Sequence, residues 1–270
     1  MTLPALNVDV LGAGPDLVFF HGWGMNAEVW YETAQILSKE YRVTLIDFPG
    51  FGKNNQVKCD YHLDALSECV FPHIPKGATL IGWSMGGLVA INIVLNQPDH
   101  VCQLVLVASN AQFAVSDNWP AGMKADVLTG FEQNLSENFK LTLQRFLMLQ
   151  ARGGDNAKDT IRALKQRLYR HGEPDKNALQ GGLQLLKNVS LVERLSEINL
   201  PVLLMFGKLD ALVPFAAAKK MRACLPQSTL VVFEKAAHAP FISHFNDFIT
   251  ELNHFLNDRE FDKELDRNNE

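Results

Sequence analysis

The hexapeptide Gly82-Trp83-Ser84-Met85-Gly86-Gly87 lies between an apolar run, residues 78–81, and a stretch of helical composition, residues 88–95. The pattern Gly-x-Ser-x-Gly between a strand and a helix is typical of a nucleophile elbow, a turn so sharp that a β-carbon at either outer glycine would collide with the neighbouring backbone. The turn exposes the Ser84 hydroxyl above a sheet, and the Met85 N–H points at any negative charge developing beside it. The hexapeptide therefore predicts an α/β sheet carrying a nucleophilic serine.

A serine hydroxyl becomes a good nucleophile when a histidine takes its proton, and in this arrangement an acidic residue and a histidine follow the serine in that order. Asp210 follows the apolar run 200–207, which indicates a strand buried on both faces. His238 follows the next strand-like run, 229–233. All three residues come after the carboxyl end of a predicted strand, where open α/β sheets place their chemistry. We expect Ser84 as nucleophile, His238 as general base and then acid, and Asp210 as the residue that orients His238.

Other residues compete for these roles. His21 lies on a strand-end loop, where a structural hydrogen bond is favoured over proton transfer. Asp47 precedes Ser84 and begins the tight turn 47–52, so it is interpreted as a turn former. Six further histidines are expected to be solvated, surface or capping residues: His62, His73, His100, His171, His244 and His254.

A second N–H donor for a tetrahedral intermediate usually comes from the loop after an early strand. Here the run 16–20 leads into His21-Gly22-Trp23-Gly24, and the flanking glycines allow the Trp23 N–H to turn toward the serine. The alternative is an ordinary glycine-rich turn in which Trp23 fills the core. We expect Trp23 and Met85 to form the oxyanion hole.

Composition restricts the class of protein. A chain of 270 residues with 47% hydrophobic content can bury one large core. Its net charge of -5 argues against general nucleic-acid binding. No segment has the length and apolar purity of a membrane span, and residues 1–9 lack the features of a secretion signal. We expect a cytoplasmic monomer without metal or cofactor, whose cysteines lack metal-ligand spacing and stay reduced: Cys59, Cys69, Cys102 and Cys224.

About ninety residues separate the strand-like run 103–108 from the one that starts near Pro201, far more than one crossover helix needs. Their periodicity predicts four helices: one around Val127, Leu128 and Phe131, then residues 139–149, 160–168 and 179–186. We therefore expect an α/β core formed by residues 1–110 and 196–256, a helical cap formed by residues 111–195, and a charged, disordered tail over residues 257–270. The cap should cover the catalytic edge and set acyl-group specificity.

The cap is unusually basic. Between residues 140 and 170 only Asp155 and Asp159 oppose eight basic residues: Lys140, Arg145, Arg152, Lys158, Arg162, Lys165, Arg167 and Arg170. Most charge runs are simply solvated helical faces. A cluster of this size beside an active-site mouth could instead steer an acidic partner toward it. Composition leaves both interpretations open.

Several blocks together carry a family resemblance, namely residues 21–30, 47–52, 82–90, 145–150, 181–183 with 188–189, and 235–244. From about residue 5 to about residue 256 the chain resembles the pimeloyl-acyl carrier protein methyl ester esterases of biotin synthesis. The resemblance implies an α/β-hydrolase fold with a mostly parallel central sheet flanked by helices. It also implies a serine carboxylesterase that releases methanol from the methyl ester of pimeloyl-acyl carrier protein.

The resemblance further implies residue roles. A substrate channel would be lined by Trp23, Ser84, Met85, Phe146, Leu147, Met148, Leu149, Gln150 and His238. The acidic carrier protein would meet basic side chains at Arg145, Lys158 and Arg162. The chain departs from the family at Leu141, which occupies a position where the family has another basic residue, although Lys140 is adjacent.

Three alternatives remain. A general short-chain carboxylesterase would use the same triad. A carbon–carbon bond hydrolase of the same fold would normally need cap residues for a dienol substrate, and none is evident. A non-catalytic binding module is disfavoured because Ser84, Asp210 and His238 are all present.

Overall fold

The computed structural model describes residues 4–267, apart from the side chains of residue 125 and of residues 259–267. Within this part of the chain seven strands form one sheet, in the order β1-β3-β2-β4-β5-β6-β7. The strands are β1 (Val8–Leu11), β2 (Asp16–Phe20), β3 (Arg42–Ile46), β4 (Ala78–Trp83), β5 (Val101–Val107), β6 (Val202–Gly207) and β7 (Ser228–Phe233). Every neighbouring pair is parallel except β1 with β3, so the expected mostly parallel sheet is confirmed.

The central strands are the ones that the apolar runs predict. All six residues of β4 and of β6 are buried, as expected for strands covered by helices on both faces. The sequence analysis did not identify β1, a strand of four residues that is only partly buried. It pairs antiparallel with β3 from Val8 opposite Ile46 to Leu11 opposite Val43. A short edge strand such as β1 contains too few residues for a clear alternation of apolar and polar side chains, so its sequence does not indicate a strand.

Helices cover both faces of the sheet. In the core these are α1 (Tyr31–Leu37), α2 (Leu63–Val70), α3 (Met85–Asn96), α8 (Phe215–Cys224), α9 (Pro240–Ser243) and α10 (Phe245–Arg267). Helix α3 is buried from Met85 to Leu95, which holds its N-terminus rigidly at the carboxyl end of β4.

Four helices lie between β5 and β6, where the sequence predicts a cap: α4 (Ala125–Glu137), α5 (Phe139–Ala151), α6 (Ala157–Leu168) and α7 (Lys176–Asn188). Asparagine and aspartate side chains cap two of them, because Asn138 accepts a hydrogen bond from the Leu141 N–H and Asp175 accepts one from the Ala178 N–H. These hydrogen bonds fix the residues at which α5 and α7 begin.

Helix α10 extends into the charged tail, which the sequence predicts to be disordered. It continues to Arg267, which differs from the expectation over residues 257–267, while residues 268–270 lie outside the described part of the chain. The segment contains no glycine or proline to end the helix, so α10 can continue past the buried Leu256. Among the residues described, no helix combines the length and the apolar character needed to cross a bilayer.

Candidate active site

Ser84 occupies a strained turn between β4 and α3. Its backbone has φ 55° and ψ -121°, a conformation that non-glycine residues rarely adopt. Two close approaches require the flanking glycines: a β-carbon on Gly82 would lie 2.5 Å from the Gly87 Cα, and one on Gly86 would lie 2.6 Å from the His21 carbonyl oxygen. The Ser109 hydroxyl donates a hydrogen bond of 2.8 Å to the Ser84 carbonyl and helps to hold the turn. The local geometry is that of the nucleophile elbow that the hexapeptide predicts.

Asp210 and His238 form a buried pair at the ends of β6 and β7. The Asp210 Oδ2 lies 2.7 Å from His238 Nδ1. The other oxygen, Oδ1, accepts hydrogen bonds from the N–H groups of Leu212 and Val213 at 2.8 and 2.9 Å. These two bonds fix the carboxylate, so it can orient the imidazole and stabilise a positive charge on it.

His238 is also held through its backbone. Its N–H donates to the Gln150 carbonyl oxygen of α5 at 2.9 Å, a bond that joins the catalytic loop to the cap. Its own carbonyl accepts a hydrogen bond from Trp83 Nε1 at 2.8 Å. Backbone and carboxylate contacts together therefore fix both the position and the orientation of the ring.

The remaining ring nitrogen of His238, Nε2, is buried and has no hydrogen-bond partner among the described residues. With Nδ1–H directed at Asp210, Nε2 is left as the proton acceptor. Hydrogen bonds between nucleophile and base are often long without substrate and tighten in the complex. The ring therefore has one nitrogen that is free to accept a hydrogen bond or a proton.

Trp23 and Met85 lie together beside the serine. A β-carbon on Gly22 would approach the Ser84 Cβ to 3.2 Å, so the loop carrying Trp23 passes directly over the elbow. The Trp23 indole Nε1 donates to the Leu179 carbonyl of α7 at 2.8 Å, which fixes the ring under the cap. Met85 is the first residue of α3, and the first N–H groups of a helix have no acceptor within the helix. Both backbone N–H groups are thus carried by elements that the fold holds in place.

Helix α5 forms the cap wall nearest the catalytic loop. Phe146 is buried and packs edge-on against Trp23, with ring centroids 4.7 Å apart. Gln150 is also buried, yet both polar atoms of its side-chain amide lack hydrogen-bond partners among the described residues. Leu147 is buried and Leu149 partly buried. Met148 differs, because its side chain is 52% exposed and lines an outer groove between α4 and α5.

His21 and Asp47 both have structural partners. His21 accepts a hydrogen bond from the Phe48 N–H at Nε2 and pairs through Nδ1 with the Gly22 carbonyl, which confirms its structural role. Asp47 accepts hydrogen bonds from the N–H groups of Ala27 and Lys53, which confirms it as a turn former.

Two histidines differ from the expectation of a solvated ring. His100 bonds the Ile74 carbonyl, and His171 pairs with Glu28, because partners distant in sequence reach both rings. Among the side chains that the structure describes, no group of three or more His, Cys, Asp or Glu residues is arranged to hold a metal ion.

Two of the eight basic residues of the cap form ion pairs with the core, so fewer than eight contribute to a free basic surface. Arg167 pairs with Glu32 and Arg170 with Glu28, so both join the cap to the core instead of extending a free basic surface. Asn26 strengthens this joint by donating to the carbonyls of residues 167 and 168. No local sequence pattern could predict these contacts between core and cap, because the partners are about 140 residues apart in the sequence.

The remaining basic residues face solvent. Arg145 and Lys158 are exposed and have no ion-pair partner in the described part of the chain. Arg162 is exposed and pairs with Asp159 at 2.8 Å on its own helix, and Lys140 pairs with Glu173. Arg145 also borders the outer groove that contains Met148.

Comparisons with known proteins identify the fold. The family model described as alpha/beta hydrolase fold matches residues 15–245. Two solved structures share the fold: an esterase from Exiguobacterium antarcticum, with TM-score 0.84 and 23% identity over 93% of this chain and 94% of that one, and a bromoperoxidase from Bacillus anthracis, with TM-score 0.85 and 21% identity over 92% and 94%.

Closer relatives carry the name pimeloyl-[acyl-carrier protein] methyl ester esterase. The relative from Aliivibrio fischeri is 43% identical over 91% of this chain and 95% of its own length. The relative from Aeromonas hydrophila is 44% identical over 93% and 99%, and the one from Vibrio cholerae is 39% identical over 93% and 98%. The chain therefore belongs to the α/β-hydrolase family and, within it, to the family of the pimeloyl-[acyl-carrier protein] methyl ester esterases.

Proposed function

We propose that this protein is a serine carboxylesterase that hydrolyses the methyl ester of pimeloyl-acyl carrier protein in biotin synthesis. The products are methanol and pimeloyl-acyl carrier protein with a free terminal carboxylate. The observation that carries the proposal is the buried Asp210–His238 pair with its unpartnered Nε2, in a chain that is 43% identical to a relative of that name.

In this proposal the three side chains act in two successive acyl-transfer steps. The Ser84 Oγ attacks the ester carbonyl carbon while His238 Nε2 takes its proton, and Asp210 stabilises the imidazolium that forms. The carbonyl oxygen, now negative, accepts hydrogen bonds from the N–H groups of Trp23 and Met85. Collapse of this intermediate releases methanol, which takes the proton from His238. A water molecule then attacks the acyl-serine, with His238 again as base, and frees the carboxylate and Ser84.

The cap residues supply the substrate contacts in this proposal. Phe146, Leu147 and Leu149 give an apolar wall for the methylene chain of the acyl group. The unpaired amide of Gln150 is available to a polar group of the substrate, since a buried amide without partners is costly in the unbound protein. Met148 would act at the outer end of the channel, because it lies in the groove beside Arg145.

The exposed basic residues serve the carrier protein in this proposal. Arg145, Lys158 and Arg162 present positive charge on the outer face of the cap, in a chain whose overall charge is -5. A local basic surface attracts an acidic partner and raises its association rate. We further propose that the protein acts as a cytoplasmic monomer, which light scattering and cell fractionation can test.

A kinetic comparison tests the function. Methanol release from the carrier-bound methyl ester is measured against release from free methyl pimelate, with Ser84→Ala as the catalytic control. The proposal predicts a higher kcat/KM for the carrier-bound ester and restored growth of a biotin-requiring strain that lacks its own esterase. Equal kcat/KM values for the two esters, with no growth, would identify a general short-chain carboxylesterase. Absence of hydrolysis and of organophosphonate labelling at Ser84 in the folded protein would identify a binding module.

A further inference from the structure

Cys59 and Cys69 form a close thiol pair outside the active site. Their Sγ atoms are 3.0 Å apart, closer than ordinary contact between two sulfur atoms. Cys59 lies in the loop before α2, and Cys69 is buried in the last turn of that helix. Both cysteines are free thiols in the structure. The separation lets a covalent bond between the two sulfur atoms form with a small side-chain movement.

Cys59 also opens to the surface. It lines a cavity of about 430 Å³ between its own loop and the start of α7, together with Tyr61 and Asp175. A small thiol reagent can therefore reach Cys59, whereas Cys69 is buried. With the two sulfur atoms in contact, Cys69 can resolve a bond made first at Cys59.

We propose that Cys59 and Cys69 are a redox pair that forms a reversible disulfide with low-molecular-weight disulfides as oxidant. The Cys59 sulfur attacks one sulfur of the oxidant, and the other half of the oxidant leaves as a thiolate and takes up a proton. The Cys69 sulfur then attacks the Cys59 sulfur of the mixed disulfide and expels the second half of the oxidant as a thiol. Two protein thiols are oxidised, one small disulfide is reduced to two thiols, and both protons pass to the small thiols.

Both thiols are reduced in the structure, and the surroundings of Cys59 slow its exchange with a disulfide. Burial, followed by the hydrogen bond with Cys69, raises the pKa of the Cys59 thiol to about 12. Acidic groups of the same segment, Asp60 and Glu68, act in the same direction, and Asp175 with its partner Lys58 faces the cavity from the other side. Because the thiolate is the attacking species, exchange is slow at neutral pH and faster at alkaline pH.

The disulfide would act at the boundary between core and cap. The loop of Cys59 carries Tyr61, whose hydroxyl donates to the Pro49 carbonyl. The Tyr61 side chain packs so closely on α7 that a β-carbon at Gly181 would collide with the Tyr61 Cβ. A bond from Cys59 to α2 therefore fixes the surface on which α7 rests, and it also restricts the unfolded chain.

The test uses the full chain with Cys102→Ser and Cys224→Ser, which retains only the pair. Oxidised glutathione at pH 8.5 is expected to reduce the count of free thiols from two to none and to give a peptide in which Cys59 and Cys69 are linked. Dithiothreitol should restore both thiols, and oxidation should raise the Tm. In the wild type the count should fall by the same two thiols, which covers poor folding of the double variant.

Single variants distinguish a disulfide from separate reactions. Cys69→Ser should leave Cys59 bound to glutathione, with no rise in Tm. Glutathione on both cysteines without a linked peptide, or two thiols that remain free to alkylation after oxidation, would overturn the proposal.

Discussion

Asp210 Oδ2 lies 2.7 Å from His238 Nδ1, and both side chains are almost completely buried. This relationship sets the tautomer of the imidazole, because Nδ1 must carry the proton that is donated to the carboxylate. Nε2 then keeps its lone pair on the side where it has no other partner in the described residues. The pair therefore leaves Nε2 free, as the general-base role that we propose for His238 requires.

Replacing the proposed nucleophile or base should abolish catalysis. We expect Ser84→Ala and His238→Ala each to reduce kcat for ester hydrolysis by about four to six orders of magnitude, because the triad acts as a unit. The double variant should be little worse than either single variant. Methanol release measures the loss, and circular dichroism checks the fold. Near-normal turnover by folded Ser84→Ala would exclude the assignment.

Asp210→Asn tests whether the carboxylate of Asp210 is needed to orient His238. An amide can donate a hydrogen bond to His238 and so stabilise the wrong tautomer, and we expect kcat to fall by about 10³- to 10⁴-fold. The bonds from the N–H groups of Leu212 and Val213 can persist with the amide oxygen, so the fold should be kept. The variant is compared with wild type by steady-state kinetics and thermal unfolding. A large loss of stability at near-normal kcat would show that Asp210 is structural.

Local sequence patterns predicted the sheet and the positions of the three proposed catalytic residues. Continuous apolar runs predicted the buried strands β4 and β6, since such strands are covered on both faces. The elbow could be predicted because Gly82 and Gly86 each meet backbone that a β-carbon would strike. These features depend on a few neighbouring residues, and a short window of sequence contains them.

Features that join distant segments were not predictable in this way. The bond from Trp23 Nε1 to the Leu179 carbonyl spans 156 positions, and it depends on how the cap lies on the core. The pairing of Glu28 with Arg170 and His171 likewise has no local pattern, so the sequence analysis counted Arg170 as free charge. Composition gives the number of charges, whereas tertiary packing decides which are neutralised.

Gly182 of α7 lies against Trp23 and Met85, the two residues that we propose for the oxyanion hole. A β-carbon at Gly182 would lie 2.7 Å from the Trp23 Cδ1 and 3.1 Å from the Met85 Sδ. We expect Gly182→Ala to displace Trp23 and to lower kcat by about 10- to 100-fold, because small misplacements of catalytic groups are costly. The matched control is Gly130→Ala in α4, where a β-carbon would meet nothing within 4 Å. If both variants keep wild-type kcat, Gly182 does not position the oxyanion hole.

His21 should make stability depend on pH. Burial, which outweighs the opposing effects of Asp47 and the Gly22 carbonyl, lowers the pKa of His21. The unfolded chain, in which this histidine has a pKa of about 6.5, therefore binds more protons below that pH than the folded protein does. The contribution of His21 is complete above about pH 6.5 and decreases as the pH falls toward the lowered pKa.

The free energy of unfolding of His21→Asn, measured in urea between pH 5 and pH 8, tests this dependence. The variant should be less stable than wild type at pH 8, since it loses the fit of the ring to the Phe48 N–H. The difference should become smaller toward pH 5, because only the wild type has a buried histidine to protonate. A difference that stays constant across the range would contradict the prediction.

The exposed basic residues of the cap give the last prediction. If Arg145, Lys158 and Arg162 attract an acidic carrier protein, changing all three to Glu should raise KM for the carrier-bound ester and barely affect a small free ester. Attraction between exposed charges is screened over about 8 Å at physiological ionic strength, so added salt should reduce the advantage of the wild type. The matched control changes three exposed basic residues of the core to Glu, namely Lys39, Lys76 and Arg222. They lie near the amino ends of the parallel strands, away from the carboxyl ends that carry the proposed active site. Equal KM values for the two triple variants at low salt would show that the cap residues only face solvent. The protein would then be classed as a general carboxylesterase unless other contacts are shown to hold the carrier protein.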